Sequence, residues 1–146
     1  MVGIFSAAPF YTQCIRLPGA NSPIPPKIRR NPRFFPYFRD ALGALDGSHI
    51  HSAPPASERA SCRNRKGFVS QNCLFGSDFD LRFIYALTGW EGSVSDARMY
   101  ENANDLHIPA GKYYLADAGF PHSNQLLVPY RGVRYHLAEW DHASLR

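Results

Sequence analysis

Short apolar runs of strand length alternate with polar connections that contain glycine and proline. The runs predicted as strands are residues 41–45, 68–75, 81–87 and 113–116. The turn sequence at 76–80 joins the second and third runs, which predicts an antiparallel hairpin. Residues 89–93 break the strand pattern, and Ser95 or Asp96 can then cap a helix over about 97–104.

This order of elements predicts an α/β fold with a mixed sheet. The fourth strand follows a helix and can join the sheet beside the first strand, in which case the ends of the two strands meet. Residues 1–26 contain several prolines and are predicted to form an extended N-terminal arm, whereas 27–146 form the domain. Residues 133–140 are a last apolar segment.

Two aspartates, Asp46 and Asp117, stand at the predicted ends of the first and fourth strands. Each is followed by small residues, in Asp-Gly and Asp-Ala-Gly, and they are 71 positions apart (117 − 46). Two carboxylates on neighbouring strands could hold a hard divalent cation, because magnesium prefers oxygen ligands. The alternative is that both are ordinary strand-end or turn aspartates, a common use of this residue.

Basic residues suggest where an anionic partner could bind. Arg63, Arg65 and Lys66 lie on a polar loop before the second strand and are candidates for contacts with DNA phosphates. His49 follows Asp46 closely and is a candidate for a phosphate contact or for supporting a metal site. The alternative for the basic residues is a set of solvated charges.

A second segment, 27–39, interleaves five basic residues with four aromatic ones. This composition suits nucleic acid, yet aromatic residues more often pack in a core than stack on a ligand. Asp96 is read as a helix cap in preference to a metal ligand. Asp78 and Asp80 are read as turn residues.

Composition narrows the class of protein. A hydrophobic fraction of 45% and 14% aromatic residues indicate a packed globular domain. The net charge of +4 favours an anionic partner only weakly. Three cysteines without metal-type spacing indicate reduced thiols, and no apolar run is long enough to cross a membrane.

From about residue 17 onwards the chain resembles the nuclease domain of Harbinger-type (PIF/Harbinger) transposases, which belong to the DDE superfamily of endonucleases. The matching segments are 43–50 (GALDGSHI), 63–67 (RNRKG), 78–81 (DFDL), 89–93 (GWEGS) with Asp96, 112–121 (KYYLADAGFP) and 129–137 (PYRGVRYHL). They occur in the order found in the family. The resemblance implies a ribonuclease H-like fold.

The resemblance also implies two divalent ions, Mg²⁺ or Mn²⁺, held by an Asp-Asp-Glu triad. Asp46 matches its first acid and Asp117 its second. The glutamate is expected on a later helix, and neither Glu139 nor Asp141 lies in the corresponding motif. We therefore expect a domain truncated at both ends, incomplete at its C-terminus and weak or inactive as a nuclease.

The resemblance further implies DNA as partner, a separate Myb-like DNA-binding protein and residence in the nucleus. It leaves the oligomeric state open. The competing hypothesis is a domesticated module that binds DNA or a protein without catalysis. The sequence alone does not decide whether the chain is an enzyme.

Overall fold

The computed structural model describes residues 15–130 and Gly132, and within them it contains one five-stranded sheet with short helices. The elements in chain order are α1 (Pro26–Arg29), β1 (Ala41–His51), a 3₁₀ turn (Ala56–Glu58), β2 (Ser70–Ser77), β3 (Phe83–Glu91), α2 (Asp96–Glu101), β4 (Tyr113–Leu115) and β5 (Leu126–Leu127). Neither helix of this described part is long and apolar enough to cross a membrane.

The strand order is β3-β2-β1-β4-β5. Strands β1, β2 and β3 are successively antiparallel, whereas β4 is parallel to β1 and β5 is parallel to β4. The predicted mixed sheet is confirmed, including the hairpin and the position of the fourth strand beside the first. This arrangement is consistent with the ribonuclease H-like fold that the resemblance implied.

Several predicted boundaries were wrong. Strand β1 continues to His51, so Asp46 lies within a strand rather than at its end, because β2 pairs with β1 as far as His51 opposite Ser70. Strand β3 also continues past the predicted break. Gly89 has a φ of +93°, and pairing resumes with Trp90 opposite Asn72 after an irregularity in the register. A glycine can take this left-handed conformation without steric strain.

The hairpin turn between β2 and β3 is built around Asp78. Its carboxylate accepts the backbone N–H groups of Asp80 and Arg82 at 2.8 and 2.9 Å, which is the turn role expected for this residue.

The core lies where α2 and the connection before β4 pack against the sheet. Its fully buried side chains come from different strands and connections and include Leu45, Leu74, Tyr85, Met99, Tyr114, Phe120 and Leu126. Helix α2 contributes Met99 and contacts β2. Burial of these apolar groups is the main force that holds the first and last strands in one sheet.

Several predictions fall outside the described residues. These concern the first half of the N-terminal arm, the apolar segment 133–140, and the acids Glu139 and Asp141.

Candidate metal and nucleic-acid site

The parallel register of β1 and β4 brings the two predicted acids side by side. Ala44 is paired with Leu115, an offset of 71 positions (115 − 44), which is also the offset between Asp46 and Asp117. Ala44 and Leu115 are the last paired residues of these two strands, and each aspartate lies two residues further along its own chain segment. The structure therefore brings together the two acids that the sequence singled out.

The electrostatic environment of Asp46 disfavours its charge. Desolvation is the largest cause that raises the pKa of Asp46, and the charges of Asp117 and Asp96 raise it further. The Gly47 N–H, which donates to Asp46 Oδ1 at 2.8 Å, partly opposes this shift. Asp117 likewise accepts the Gly119 N–H at 2.8 Å.

Asp96 belongs to the same group of acids, and it does not cap the helix. Ser95 is the cap, since its side chain accepts the Arg98 N–H at 3.3 Å. The Asp96 carboxylate instead accepts a hydrogen bond from Asn72 Nδ2 at 2.9 Å and lies directly against Gly47. A Cβ atom at position 47 would overlap the Asp96 carboxylate, so this approach requires glycine.

Asn72 is a residue that sequence reasoning missed. It is buried on β2, donates also to the Val94 carbonyl at 2.9 Å, and accepts the Cys73 N–H at 3.0 Å. These bonds tie the start of α2 to the sheet and orient Asp96. The available signal was an amide inside an otherwise apolar strand, because a buried amide needs fixed partners.

The acids fit a divalent cation in part. Within 15–130, no Lys, Arg or His side chain forms an ion pair with Asp46, Asp96 or Asp117. An uncompensated group of negative charges with oxygen donors suits Mg²⁺ or Mn²⁺. No three acidic, histidine or cysteine side chains of the described chain converge closely enough to hold an ion, however. Metal binding by Asp46 and Asp117 therefore stays a prediction.

A cleft of about 500 Å³ is lined by both acidic and basic residues. Arg65 and Lys66 line this cleft together with Asp96, Asp117 and Gly119. Both basic side chains are exposed and, in the described structure, form no ion pair. They are therefore available to an anionic ligand that reaches the acids.

Arg63, the third basic residue of the loop, lies outside the cleft, and a phosphate contact by this residue stays a prediction. Its Nη1 donates to the Gly67 carbonyl at 2.6 Å, and its backbone forms an isolated bridge with Val69. This guanidinium holds the loop closed, and Arg63 does not line the cleft.

His49 lies at the cleft, with its Nδ1 atom 3.0 Å from Ser70 Oγ. Its ring meets that of Phe68 edge to face, with 6.3 Å between ring centroids. A phosphate contact by this residue stays a prediction.

The basic and aromatic segment 27–39 leads into the start of β1, away from the acids. None of its residues lines the acidic cleft. Phe34 packs edge to face on Phe38, with 6.0 Å between centroids, while Tyr37 is largely exposed. A role of this segment in binding nucleic acid also stays a prediction.

The fold, the paired acids and the adjoining basic loop describe a nuclease-type domain. Residues 45–144 match the family of DDE superfamily endonucleases, which is more than half of the chain, and the protein belongs to this family. A protein named "Protein ALP1-like" from Arabidopsis thaliana is 29% identical over 114 residues. The match covers 64% of this chain and 28% of that relative's length. No solved structure matches the chain significantly.

Proposed function

We propose that this chain is a DNA-directed, metal-dependent nuclease domain in which Asp46 and Asp117 hold a divalent cation, Mg²⁺ or Mn²⁺. The observation that carries the proposal is the parallel register of β1 and β4, which brings the two carboxylates together. Neither carboxylate has a basic partner among the described residues. Membership of the DDE superfamily supports it independently, because that superfamily typically uses divalent metals.

The residues of the site then have distinct tasks. Asp46 and Asp117 would hold the cation, which would supply Lewis-acid stabilisation of the charge on phosphodiester oxygens. Arg65 and Lys66 hold DNA phosphates in the cleft, and His49 contributes a further phosphate contact. Arg63 supports the loop that carries the two basic residues.

Metal binding is the first test, since it does not require efficient cleavage. Thermal unfolding of the purified chain should shift upward with added Mn²⁺. A ligand at one hundred times its dissociation constant stabilises a folded protein by about 2.7 kcal/mol. Asp46→Asn and Asp117→Asn should abolish the shift, whereas Glu101→Gln, an exposed acid outside the cleft, should retain it. Equal shifts in the wild type and Asp46→Asn would place the cation elsewhere.

Cleavage of labelled DNA by this chain alone should be weak. Two-metal hydrolysis requires ions clamped at a fixed separation, and a displacement of ~1 Å can lower the rate by about two orders of magnitude. In the described residues no group of three or more acidic, histidine or cysteine side chains could hold an ion. Strong Mg²⁺-dependent cutting that Asp46→Asn abolishes would contradict this expectation while supporting the assignment of the site.

A second candidate function is a non-catalytic module that retains the scaffold and binds DNA or a protein. The lack of a third converging ligand in 15–130 favours it. Binding of DNA that is unchanged by Mn²⁺, together with no Mn²⁺-induced stabilisation, would select this candidate over the nuclease.

Finer assignments follow from the resemblance and remain proposals. These are the Harbinger-type subclass, a separate Myb-like DNA-binding partner and a nuclear location. Because the chain spans 28% of the ALP1-like relative, the activity of a whole protein of that kind is also a proposal. Co-precipitation with Myb-like proteins from a nuclear extract, compared with a cytoplasmic one, tests partner and location together.

A further inference from the structure

Asn64 carries a buried hydrogen-bond donor without a partner. The residue is 5% exposed, and its Oδ1 atom accepts the backbone N–H groups of Lys66 at 3.0 Å and Phe68 at 3.3 Å. Its Nδ2 atom has no hydrogen-bond partner among the described residues. The amide cannot be reversed, because two N–H donors require the oxygen to face them. The free donor is therefore fixed in direction.

Such a group calls for an explanation, because buried polar atoms in native proteins almost always have partners. In 15–130 one other side-chain atom shares this state, the hydroxyl of Tyr114, which lies in the apolar core. Asn64 differs because it lines the cleft that also contains Asp96 and Asp117. Its Nδ2 atom itself has an accessible area below 1 Å², so a ligand in that cleft would reach it after a small shift of the loop.

The surroundings define the chemistry of this ligand. The exposed side chains of Arg65 and Lys66, which follow Asn64 in the chain, line the same cleft and have no carboxylate partner among the described residues. One neutral donor and two cations suit a group that carries negative charge and accepts several hydrogen bonds. A phosphate oxygen meets both conditions, and charge-assisted hydrogen bonds of this kind are the stronger ones.

We propose that Asn64, Arg65 and Lys66 form a subsite for one backbone phosphate of DNA in the cleft that Asp117 also lines. The inference rests on the proposed function and deepens it, since it converts a diffuse basic surface into a defined contact. Asn64 fixes the position of the phosphate through Nδ2, while the two cations provide attraction. The Arg63 guanidinium and Asn64 Oδ1 already hold the loop, so DNA binding has only to make Nδ2 accessible.

The test measures binding of a short fluorescent DNA duplex by anisotropy in EDTA, so that cation binding at the acids plays no part. Asn64→Asp keeps the oxygen that accepts both loop N–H groups but replaces the free donor by a negative charge. Asn104→Asp is the matched control, because it makes the same charge change at an exposed position outside the cleft. We expect Asn64→Asp to weaken binding at least tenfold, equivalent to about 1.4 kcal/mol, and Asn104→Asp to have little effect.

Two further variants separate position from charge. Asn64→Ser leaves the net charge unchanged and retains an acceptor for the loop, and it should weaken binding several-fold. Lys66→Gln should lower the slope of log affinity against log salt by about one phosphate contact. Melting temperatures of all variants, followed by circular dichroism, show whether each variant is folded at the temperature of the binding assay.

The outcomes distinguish this inference from the proposed function. If the wild type binds DNA and both Asn64 variants bind as tightly as Asn104→Asp, then Asn64 Nδ2 contacts water and the subsite is refuted, while DNA binding stands. If the wild type does not bind DNA at all, both the subsite and the DNA-directed function fail. If Asn64→Asp and Asn64→Ser both weaken binding and Asn104→Asp does not, the subsite is established.

Discussion

The two ends of the parallel pair β1 and β4 carry acids in opposite electrostatic environments. Before the strands, Asp40 forms ion pairs with Lys112 at 3.0 Å and with Arg39 at 3.2 Å. Beyond the last paired residues, Asp46 lies beside Asp117 with no basic partner among the described residues. The same two strands thus have a neutralised end and an uncompensated end.

The pKa shifts express this difference. Hydrogen bonds from Lys112 and Arg39 lower the pKa of Asp40, whereas desolvation and the neighbouring acids raise the pKa of Asp46. An acid that only supports the fold is expected to have a partner, as Asp40 does. Acids kept together without one destabilise the fold slightly, and perturbed groups of this kind cluster at functional sites.

The largest effect on the uncompensated end is expected from Asn72→Ala. It removes two donors and an acceptor from a buried position, and with them the bonds to the Val94 carbonyl, the Asp96 carboxylate and the Cys73 N–H. The free energy of unfolding should fall by about 2–4 kcal/mol, measured by urea denaturation. Asn104→Ala, at an exposed position, should change it by no more than about 0.5 kcal/mol. A loss below about 1 kcal/mol for Asn72→Ala would show that Asn72 does not hold this end together.

A smaller effect is expected from Gly47→Ala. The added methyl group overlaps the Asp96 carboxylate, which Asn72 holds in place, so the site must shift. We expect a loss of about 1–2 kcal/mol in the same urea experiment. Gly19→Ala is the control, because no atom lies within 4 Å of a Cβ there. Equal stability of Gly47→Ala and Gly19→Ala would mean that Asp96 is not packed as described.

The smallest effects come from the paired variants Asp40→Asn and Asp46→Asn, which should have opposite signs at neutral pH without metal. Asp40→Asn removes two attractive pairs and should lower the melting temperature. Asp46→Asn removes repulsion and should raise it slightly, since exposed charges are screened. Glu101→Gln serves as the control for charge alone. If both variants changed the melting temperature in the same direction, the proposed electrostatic difference between the two ends would be wrong.

The pH dependence follows from the same shifts. The pKa of Asp40 is lowered in the folded state, so its charge stabilises the fold at pH values above its pKa in the unfolded state. This stabilisation is lost as the pH falls through the folded-state pKa. Asp46, with a raised pKa, contributes in the opposite sense. Its contribution is lost as pH rises from the ordinary value of 3.8 through the folded pKa. Melting curves across this acidic range should therefore be altered in opposite directions by the two variants.

The sequence by itself determined the order of the elements and the pairing of Asp46 with Asp117. Apolar runs of strand length, separated by turn residues, predicted a mixed sheet in which the first and fourth strands are neighbours. The small residues after each acid indicated a close approach. These features are local, because period and turn chemistry are determined by adjacent residues.

Only the tertiary structure decided the extent of β1, the orientation of Asp96 and the division of labour within the basic loop. Strand β1 continues to His51 because β2 pairs with it that far. The Asp96 side chain lies at the cleft and does not cap the helix, because Asn72 donates a hydrogen bond to it. Arg63 points into its own loop, while the Asn64 amide is left with a free donor. Each outcome depends on a partner distant in sequence or on the closure of the loop, and no pattern of neighbouring residues specifies such contacts.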